Sequence, residues 1–301
     1  MTKVIVFGTI ALDDIKTPFG KVTSVPGGSA LYASIACSFF SNVGILSAVG
    51  NDFPEKEKKF LQNKKISLDG LENFSGKTFH WAGYYDLDIN NAITLKTDLN
   101  IIKKYYPKVP DEYKNTDFLF LANMDPELQL EVLKQFKKKP KFVVSDTMNL
   151  WISKKRKKVL EIVKISDIAL MNDSEARQLF KTSNLAVAAK EILKLDSKIA
   201  IIKKGEHGCV AFTKKTFFSC PGYPLENIVD PTGSGDCFGG ALIGYLAKTE
   251  DFSEKNIRKA IVYGSCIASF NAEAFSTEKL KKISLKEINK RYKEFSNFVK
   301  F

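Results

Sequence analysis

The chain has 301 residues, of which 44% are hydrophobic and 27% are charged. This composition is typical of a globular protein and excludes disordered, collagen-like and coiled-coil classes. No apolar run reaches the roughly 18 residues that a membrane helix needs. The apolar N-terminal stretch ends before Asp13 and Asp14 and lacks the basic leader of a signal peptide. The five cysteines lack the spacing of metal ligands. We therefore expect a reduced, cytoplasmic protein with no membrane partner.

Basic residues outnumber acidic ones by 46 to 34, which gives a formal net charge of +12. Such an excess occurs in nucleic-acid-binding proteins, and this is the alternative function from a different class. The lysines, however, are spread along the whole chain, and the dense run at 154–158 leads into residues with the apolar spacing of an amphipathic helix. This distribution favours exposed helix faces, so we expect no specific nucleic-acid partner.

Short apolar runs alternate with amphipathic stretches along most of the chain. The runs are typical of strands covered on both faces, and they lie at 4–7, 45–49, 118–122, 142–145, 168–171, 200–203 and 209–212. Helices are predicted at 29–41, 55–62, 127–137, 153–163, 174–180 and 185–195, and then at 235–246, 255–270 and 284–300 in a C-terminal part that looks mostly helical after Phe218. This alternation predicts an α/β protein with a mostly parallel sheet flanked by helices. We expect one domain over residues 1–301.

Two segments, 15–25 and 77–95, break this alternation. They are rich in Thr, Tyr, Asn and Asp and predict strands or hairpins that stand off the main sheet. Surface decoration is the alternative, but the two segments flank Gly27 and Gly28, which favours a small β lid over a site. A homodimer, if formed, would use this lid.

The most informative motif occupies residues 230–236, which read Asp-Pro-Thr-Gly-Ser-Gly-Asp before a helix of small residues. Such a helix start leaves several backbone N–H groups unpaired, and together with the helix dipole they form an anion site. Asp236 in the first turn is placed to take a proton from an alcohol that attacks a bound phosphate. An ordinary N-cap explains the same residues, and the local sequence leaves both interpretations open.

The motif resembles the second signature of the ribokinase (PfkB) family of carbohydrate and nucleoside kinases. Four further segments resemble family motifs in the family's order: Gly-Thr-Ile-Ala-Leu-Asp at 8–13, Gly-Gly-Ser-Ala at 27–30, Asn-Asp-Ser-Glu at 172–175 and Lys-Gly-Glu-His-Gly at 204–208. The resemblance covers nearly the whole chain. It implies a ribokinase-like fold and transfer of the γ-phosphoryl group of ATP to a primary alcohol of a sugar, with a nucleoside as the alternative acceptor.

The resemblance also implies residue roles. Asp236 is the expected base beside an anion hole of amides at Gly233, Ser234, Gly235 and Asp236 itself. The acceptor is expected at Asp13, Gly27, Gly28 and Asn123, and the nucleotide at Lys203, Gly205 and Gly208. Asn172 and Glu175 are expected to hold Mg²⁺ through water, with a helix-capping box as the alternative interpretation. Asp230 and Thr232 are expected at a monovalent cation site, for which K⁺ is the candidate.

Three strand-end residues, Asn123, Asp146 and Asn149, are placed by position to reach the same pocket. The chain also departs from the family pattern: Tyr32 stands where many members have Asn, which removes an amide that often contacts the sugar, and Ser234 replaces the commoner Ala. The aromatic residues Phe79, Trp81 and Tyr84 either stack a nucleobase or pack the lid, and the sequence leaves both open.

Overall fold

The computed structural model describes residues 2–299. Along the chain the strands are β1 (Val4–Phe7), β2 (Ala11–Thr17), β3 (Gly20–Gly27), β4 (Val43–Val49), β5 (Ser67–Asn73), β6 (Phe79–Tyr84), β7 (Ile93–Asp98), β8 (Phe118–Leu121), β9 (Phe142–Ser145), β10 (Ile168–Asn172), β11 (Ile199–Lys203), β12 (Cys209–Phe212) and β13 (Phe217–Cys220). The helices are α1 (Ser29–Ser38), α2 (Glu55–Asn63), α3 (Pro126–Lys134), α4 (Asn149–Ile165), α5 (Asp173–Phe180), α6 (Leu185–Lys194), α7 (Ser234–Thr249), α8 (Glu254–Asn271), α9 (Glu278–Lys282) and α10 (Leu285–Phe298). Short 3₁₀ turns cover Asn100–Lys104 and Gly205–His207. The predicted end of the last helix at residue 300 lies outside the described residues.

The larger sheet has the strand order β13-β12-β11-β10-β9-β8-β1-β4-β5. Neighbours from β11 to β5 run parallel, and β12 and β13 form an antiparallel edge. The predicted mostly parallel sheet is confirmed. The chain moves from β1 to β4 in one direction and later to β8 in the other, so the strand order reverses beside β1. Open α/β sheets bind ligands at the carboxyl ends of the strands at such a point.

Both faces of this sheet are covered by helices. Val4 and Val6 of β1 belong to one core cluster with residues of α1 and α7, whereas Ile5 and Phe7 belong to a second cluster with residues of α3 and α4. All four β1 side chains are fully buried. This two-sided burial explains why the strands read as continuous apolar runs rather than as alternating patterns.

The smaller sheet, which we call the lid, has the order β3-β2-β6-β7. β2 and β3 form one antiparallel pair and β6 and β7 another, but β2 and β6 run parallel. The predicted small second sheet is confirmed, with wider bounds than the segments 15–25 and 77–95 indicate. Its first strand along the chain, β2, begins at Ala11 rather than at residue 15. The prediction misses this start because Ala11, Leu12 and Asp13 are buried and lack the polar pattern of the rest of the lid.

Three further boundaries differ from the sequence prediction. β5 and β13 are edge strands without a continuous apolar run and are missing from the prediction, whereas the part of the chain after β13 holds α7 to α10 and is mostly helical, as expected. α4 begins at Asn149 rather than 153, and the backbone is non-helical at Lys155 (φ −136°), inside the basic run.

The five cysteines are buried free thiols. Between residues 2 and 299 no helix has both the length and the apolar character to cross a membrane.

Candidate active site

Polar side chains meet at the carboxyl ends of three neighbouring parallel strands. Asp146 directly follows β9, and Asn172 and Lys203 are the last residues of β10 and β11, where they pair in register. The parallel arrangement brings these ends to one edge of the sheet, as the sequence predicts for ligand-binding residues.

The N-terminus of α7 faces this edge. Gly233 precedes the helix with φ 79°, a left-handed conformation that favours glycine, and a Cβ there would lie 2.3 Å from the ring of Tyr32. The Ser234 N–H donates to Pro231 O (3.0 Å), so it is already used in the turn. In the described part of the chain, the N–H groups of Gly233, Gly235 and Asp236 have no backbone acceptor. These three amides are therefore the available donors of the predicted anion hole.

Asp236 lies in the first turn of α7. Burial, reinforced by the negative charge of Asp146, raises the pKa of Asp236 to about 7, although the Lys203 ammonium opposes the shift. A carboxyl with a pKa near neutral pH can both accept and release a proton in a reaction cycle. This property suits a general base beside an anion site.

Asp13 approaches the same region from the lid. It lies within β2 and is 3% exposed, and a Cβ on Gly27 would lie 1.9 Å from its Oδ2. Burial, followed by the charges of Asp230 and Asp236, raises the pKa of Asp13 well above its usual value, while the Gly28 N–H opposes the shift. The structure thus brings together Asp13, Gly27 and Gly28, which the sequence assigns to the acceptor.

Asn172 and Glu175 form a complete capping box at the start of α5. Asn172 Oδ1 accepts from the Glu175 N–H (2.8 Å), and Glu175 Oε2 accepts from the Asn172 N–H (2.6 Å). Burial, followed by the charge of Asp146, raises the pKa of Glu175 to about 8. Within residues 2–299 no group of three or more His, Cys, Asp or Glu side chains is placed to hold a metal ion directly. The role of Asn172 and Glu175 toward Mg²⁺ through water stays a prediction.

Asp230 is fully buried and is held by neutral groups. Its Oδ1 accepts from the Thr232 N–H (2.9 Å), and no cationic side chain in the described range pairs with it. The side-chain N–H of the nearby Asn271 donates to Thr232 O (2.7 Å), while Asn271 Oδ1 and Thr277 Oγ1 are buried and have no hydrogen-bond partner in the part of the chain that the structure describes. A buried carboxylate and unpartnered oxygens fit a cation, because oxygen atoms are the ligands that hard cations prefer.

Two predicted residues are committed to structural contacts. Asn123 Oδ1 accepts from Trp151 Nε1 (3.1 Å) and its amide contacts the Met148 sulfur, so the side chain is tied to the region of α4. Asn149 is exposed and donates to Gln178 (2.7 Å). Their roles toward substrate stay predictions.

The predicted nucleotide turn, residues 204–208, contacts the lid. Gly205 and Gly208 both have positive φ, and the Lys204 N–H donates to Gly208 O (2.7 Å). Asn90 of the lid loop between β6 and β7 accepts from the Glu206 N–H and donates to the Glu206 carboxylate, both at 3.0 Å. The lid therefore reaches the turn that the sequence assigns to the nucleotide.

Two tyrosines at the site escape the sequence prediction of site residues. Tyr85 follows β6 and its hydroxyl accepts from Thr232 Oγ1 (3.1 Å). Tyr32 is 1% exposed, and its buried hydroxyl has no hydrogen-bond partner among residues 2–299. Burial and the charges of Asp230 and Asp13 raise the pKa of Tyr32 well above its usual value. The sequence feature that could have identified Tyr32 as a site residue is its departure from the family pattern. For Tyr85 the only such feature is its position next to the aromatic residues of the lid.

A helix start with three open amides, an adjacent carboxyl with a pKa near 7 and a lid carrying a buried carboxyl suit an α/β enzyme that transfers phosphate to an alcohol. A family model described as "pfkB family carbohydrate kinase" matches residues 1–282, and the chain belongs to that family. It is therefore an ATP-dependent kinase whose acceptor is a sugar or a nucleoside.

Individual relatives bear different acceptor names. The chain is 30% identical over 253 residues to a cytidine kinase of Thermococcus kodakarensis, covering 81% of this chain and 89% of that protein. It is 29% identical over 282 residues to a ribokinase of Lactococcus lactis, covering 87% of this chain and 89% of that protein. The solved nucleoside kinase of Methanocaldococcus jannaschii superposes with a TM-score of 0.77 at 22% identity, over 98% of this chain and 99% of that one.

Proposed function

We propose that the chain is a nucleoside kinase, which transfers the γ-phosphoryl group of ATP to the primary hydroxyl of a nucleoside. The observation that carries this proposal is the position of Trp81 beside Asp13. These two residues are register partners in the parallel pair of β2 and β6, so their side chains project from the same face of the lid sheet. The similarity to a cytidine kinase supports the same acceptor class.

Trp81 has the form of a stacking platform. A Cβ on Gly83 would lie 2.3 Å from the indole, so the ring packs against that glycine, and its Nε1 is fixed by a hydrogen bond to Thr94 Oγ1 (3.1 Å). The ring is half-buried. A base stacked on such a ring gains about 1–3 kcal/mol. Asp13 on the same face then accepts hydrogen bonds from hydroxyls of the attached ribose.

The chemistry follows from the residues at the start of α7. Asp236 takes the proton of the acceptor hydroxyl. As it does so, the hydroxyl oxygen forms a bond to the γ-phosphorus, and the bond from the γ-phosphorus to the bridging β–γ oxygen breaks, so that ADP leaves. The N–H groups of Gly233, Gly235 and Asp236 stabilise the charge on the transferring group. Mg²⁺, when bound through water at Asn172 and Glu175, supplies positive charge that neutralises the phosphate oxygens.

The buried oxygens around Asp230 suit a monovalent cation, and we propose K⁺ there. Its charge would offset the Asp230 carboxylate and fix the backbone of Thr232, two residues before the start of α7. Turnover should therefore be faster in K⁺ than in tetramethylammonium at equal ionic strength, because the organic cation is too large to enter. Equal rates in both salts would exclude the site.

The lid also provides the surface for a homodimer. Ile93 and Leu95 of the edge strand β7 are 43% and 68% exposed. An exposed edge strand offers unpaired backbone groups to a second copy. Light scattering should give a dimer mass for the wild-type protein, and Leu95→Lys should shift it to the monomer. A wild-type monomer would exclude this arrangement.

An acceptor screen tests the proposed function. Cytidine, adenosine, uridine and inosine are compared with ribose and fructose, and ADP formation is measured. We expect kcat/KM for a nucleoside to exceed that for either free sugar, and Trp81→Leu to lower it about ten-fold or more through lost stacking. Phe19→Leu, which changes an exposed lid aromatic, is the matched control. A preference for a free sugar that is insensitive to Trp81→Leu would favour the sugar kinase instead.

A further inference from the structure

A loop of the lid is joined to the predicted nucleotide turn by one pair of side chains. The loop covers residues 85–92, between β6 and β7. Asn90 Oδ1 accepts from the Glu206 N–H, and Asn90 Nδ2 donates to Glu206 Oε1, both at 3.0 Å. We call these two hydrogen bonds the latch. Its two residues lie 116 positions apart in the sequence, so the latch connects separate parts of the fold.

The residues on both sides of the latch fit it closely. Gly205 has a positive φ of 56°, and a Cβ there would lie 1.9 Å from Asn90 Oδ1, so only glycine lets the amide approach. On the lid side, Asp88 Oδ1 accepts from the backbone N–H and from Nδ2 of Asn90, both at 3.1 Å. The side-chain amide of Asn90 therefore uses its oxygen and both of its N–H bonds. This holds an exposed side chain in one orientation.

The latch loop is continuous with the strands proposed to hold the acceptor. It joins β6, which carries Trp81, to β7, whose Thr94 Oγ1 accepts from Trp81 Nε1 (3.1 Å). Trp81 is in turn the register partner of Asp13 in β2. A ligand that holds these strands over the main sheet therefore also holds the loop that carries Asn90.

On the other side, the latch acts on a turn that is closed by its own hydrogen bonds. The Lys204 N–H donates to Gly208 O (2.7 Å), and the Gly208 N–H donates to Gly205 O (3.0 Å). Because these bonds tie the turn together, fixing the Glu206 N–H fixes the backbone of the whole turn. Gly205 and Gly208 are the residues that the sequence assigns to the nucleotide.

We propose that Asn90 is a positioning residue whose latch makes the acceptor and the nucleotide bind cooperatively. An acceptor under the lid favours the latched state, and the latched turn receives the nucleotide in a fixed conformation. Because such coupling is reciprocal, the nucleotide raises the affinity for the acceptor by the same factor. The proposal rests on the proposed function in that the acceptor lies under the lid and the nucleotide at the turn, but it holds for a nucleoside or a sugar acceptor alike.

Calorimetry with the Mg²⁺ complex of β,γ-imido-ATP, which cannot transfer its terminal phosphate, measures the coupling. The acceptor that the wild-type enzyme phosphorylates best should raise the affinity for this analogue by at least about five-fold. Asn90→Ala should reduce the ratio of the two affinities to about one. Asn91→Ala is the matched control and should keep the wild-type ratio, because the Asn91 amide instead donates to Asp88 Oδ2 (2.8 Å).

Variants of Glu206 test the same contact from the other side. Glu206→Gln should keep the wild-type ratio, since its amide oxygen can accept the same hydrogen bond from Asn90. Glu206→Ala loses one of the two bonds and should lower the ratio, which keeps the test decisive if Asn90→Ala fails to fold. Asn90→Ala/Glu206→Ala should match Asn90→Ala, because both changes remove one shared contact.

Hydrogen exchange gives a second readout that needs no acceptor, so it separates a failure of the latch from a failure of the proposed function. The ATP analogue alone should slow the exchange of backbone amides at 79–98 in the wild-type protein and in Asn91→Ala, but not in Asn90→Ala. An affinity ratio or a lid protection that Asn90→Ala leaves unchanged would overturn the proposal. A wild-type affinity ratio of about one would overturn it as well.

Discussion

The Thr232 hydroxyl donates a hydrogen bond of 3.1 Å to the Tyr85 hydroxyl and so joins the loop before α7 to the lid. Tyr85 is anchored at its backbone as well, since its N–H donates to Lys16 O (2.9 Å). Thr232 lies between Asp230 and the open amides of the anion site. The position of the lid and the shape of the anion loop are therefore linked by one side-chain contact.

Tyr85→Phe should weaken this link. A neutral hydrogen bond contributes about 0.5–1.5 kcal/mol, so kcat/KM for the acceptor should fall by about 2- to 12-fold while ATP affinity without acceptor is unchanged. Steady-state kinetics and calorimetry measure the two quantities. Tyr84→Phe is the matched control, because it removes the neighbouring lid hydroxyl. Equal effects of both variants would show that the Thr232 contact has no role in turnover.

Glu175→Gln separates metal positioning from helix capping. The amide oxygen of Gln can still accept from the Asn172 N–H, so the thermal midpoint should change little. If Glu175 holds Mg²⁺ through water, the Mg²⁺ concentration for half-maximal rate should rise several-fold. Glu287→Gln is the control, since Ser284 and Glu287 form a second capping box at the start of α10, apart from the site. A Mg²⁺ titration that coincides for wild type and Glu175→Gln would leave only the capping role.

Asp13→Ala should impair the acceptor and spare the nucleotide. Remote contacts to the acceptor fix the attacking hydroxyl for transfer, so kcat/KM for the acceptor should fall by at least about 100-fold with ATP affinity unchanged. Asp14→Ala is the control, because that neighbouring carboxylate instead faces His80 (3.3 Å) and the Ser24 N–H.

An acceptor lacking the hydroxyl that Asp13 binds completes the test. Removing that hydroxyl should slow the wild-type enzyme strongly and Asp13→Ala little, since the same hydrogen bond is lost in both changes. Losses that simply add would show that Asp13 does not bind this hydroxyl.

The sequence predicts the parallel part of the fold well, because strands buried on both faces leave continuous apolar runs. It also predicts the lid, but not its beginning at Ala11, where burial removes the polar pattern. β5 and β13 escape prediction for a related reason: each is an edge strand, so only part of it is buried. Edge strands have no strong hydrophobic signature.

The site is predictable where backbone conformation dictates the residue, and less so where side chains from distant segments meet. The turn at Gly233 leaves a readable motif because a left-handed φ favours glycine. The Ser234 N–H, by contrast, is expected to be an anion donor but is used within its own turn. The contact of Tyr85 with Thr232 spans 147 residues and depends on where the lid docks, which no local pattern encodes.

The central claim is that Asp236 is the base at the anion-binding start of α7, and the pH dependence of Asp236→Asn tests it most directly. In the wild-type enzyme kcat/KM should fall as the pH drops through about 7, because the carboxyl then takes up a proton and can no longer accept one. Asp236→Asn should bind Mg²⁺·ATP normally, lose about 10²- to 10⁴-fold in kcat and lack this acidic limb. A variant that turns over at nearly the wild-type rate, with the same acidic limb, would contradict the account.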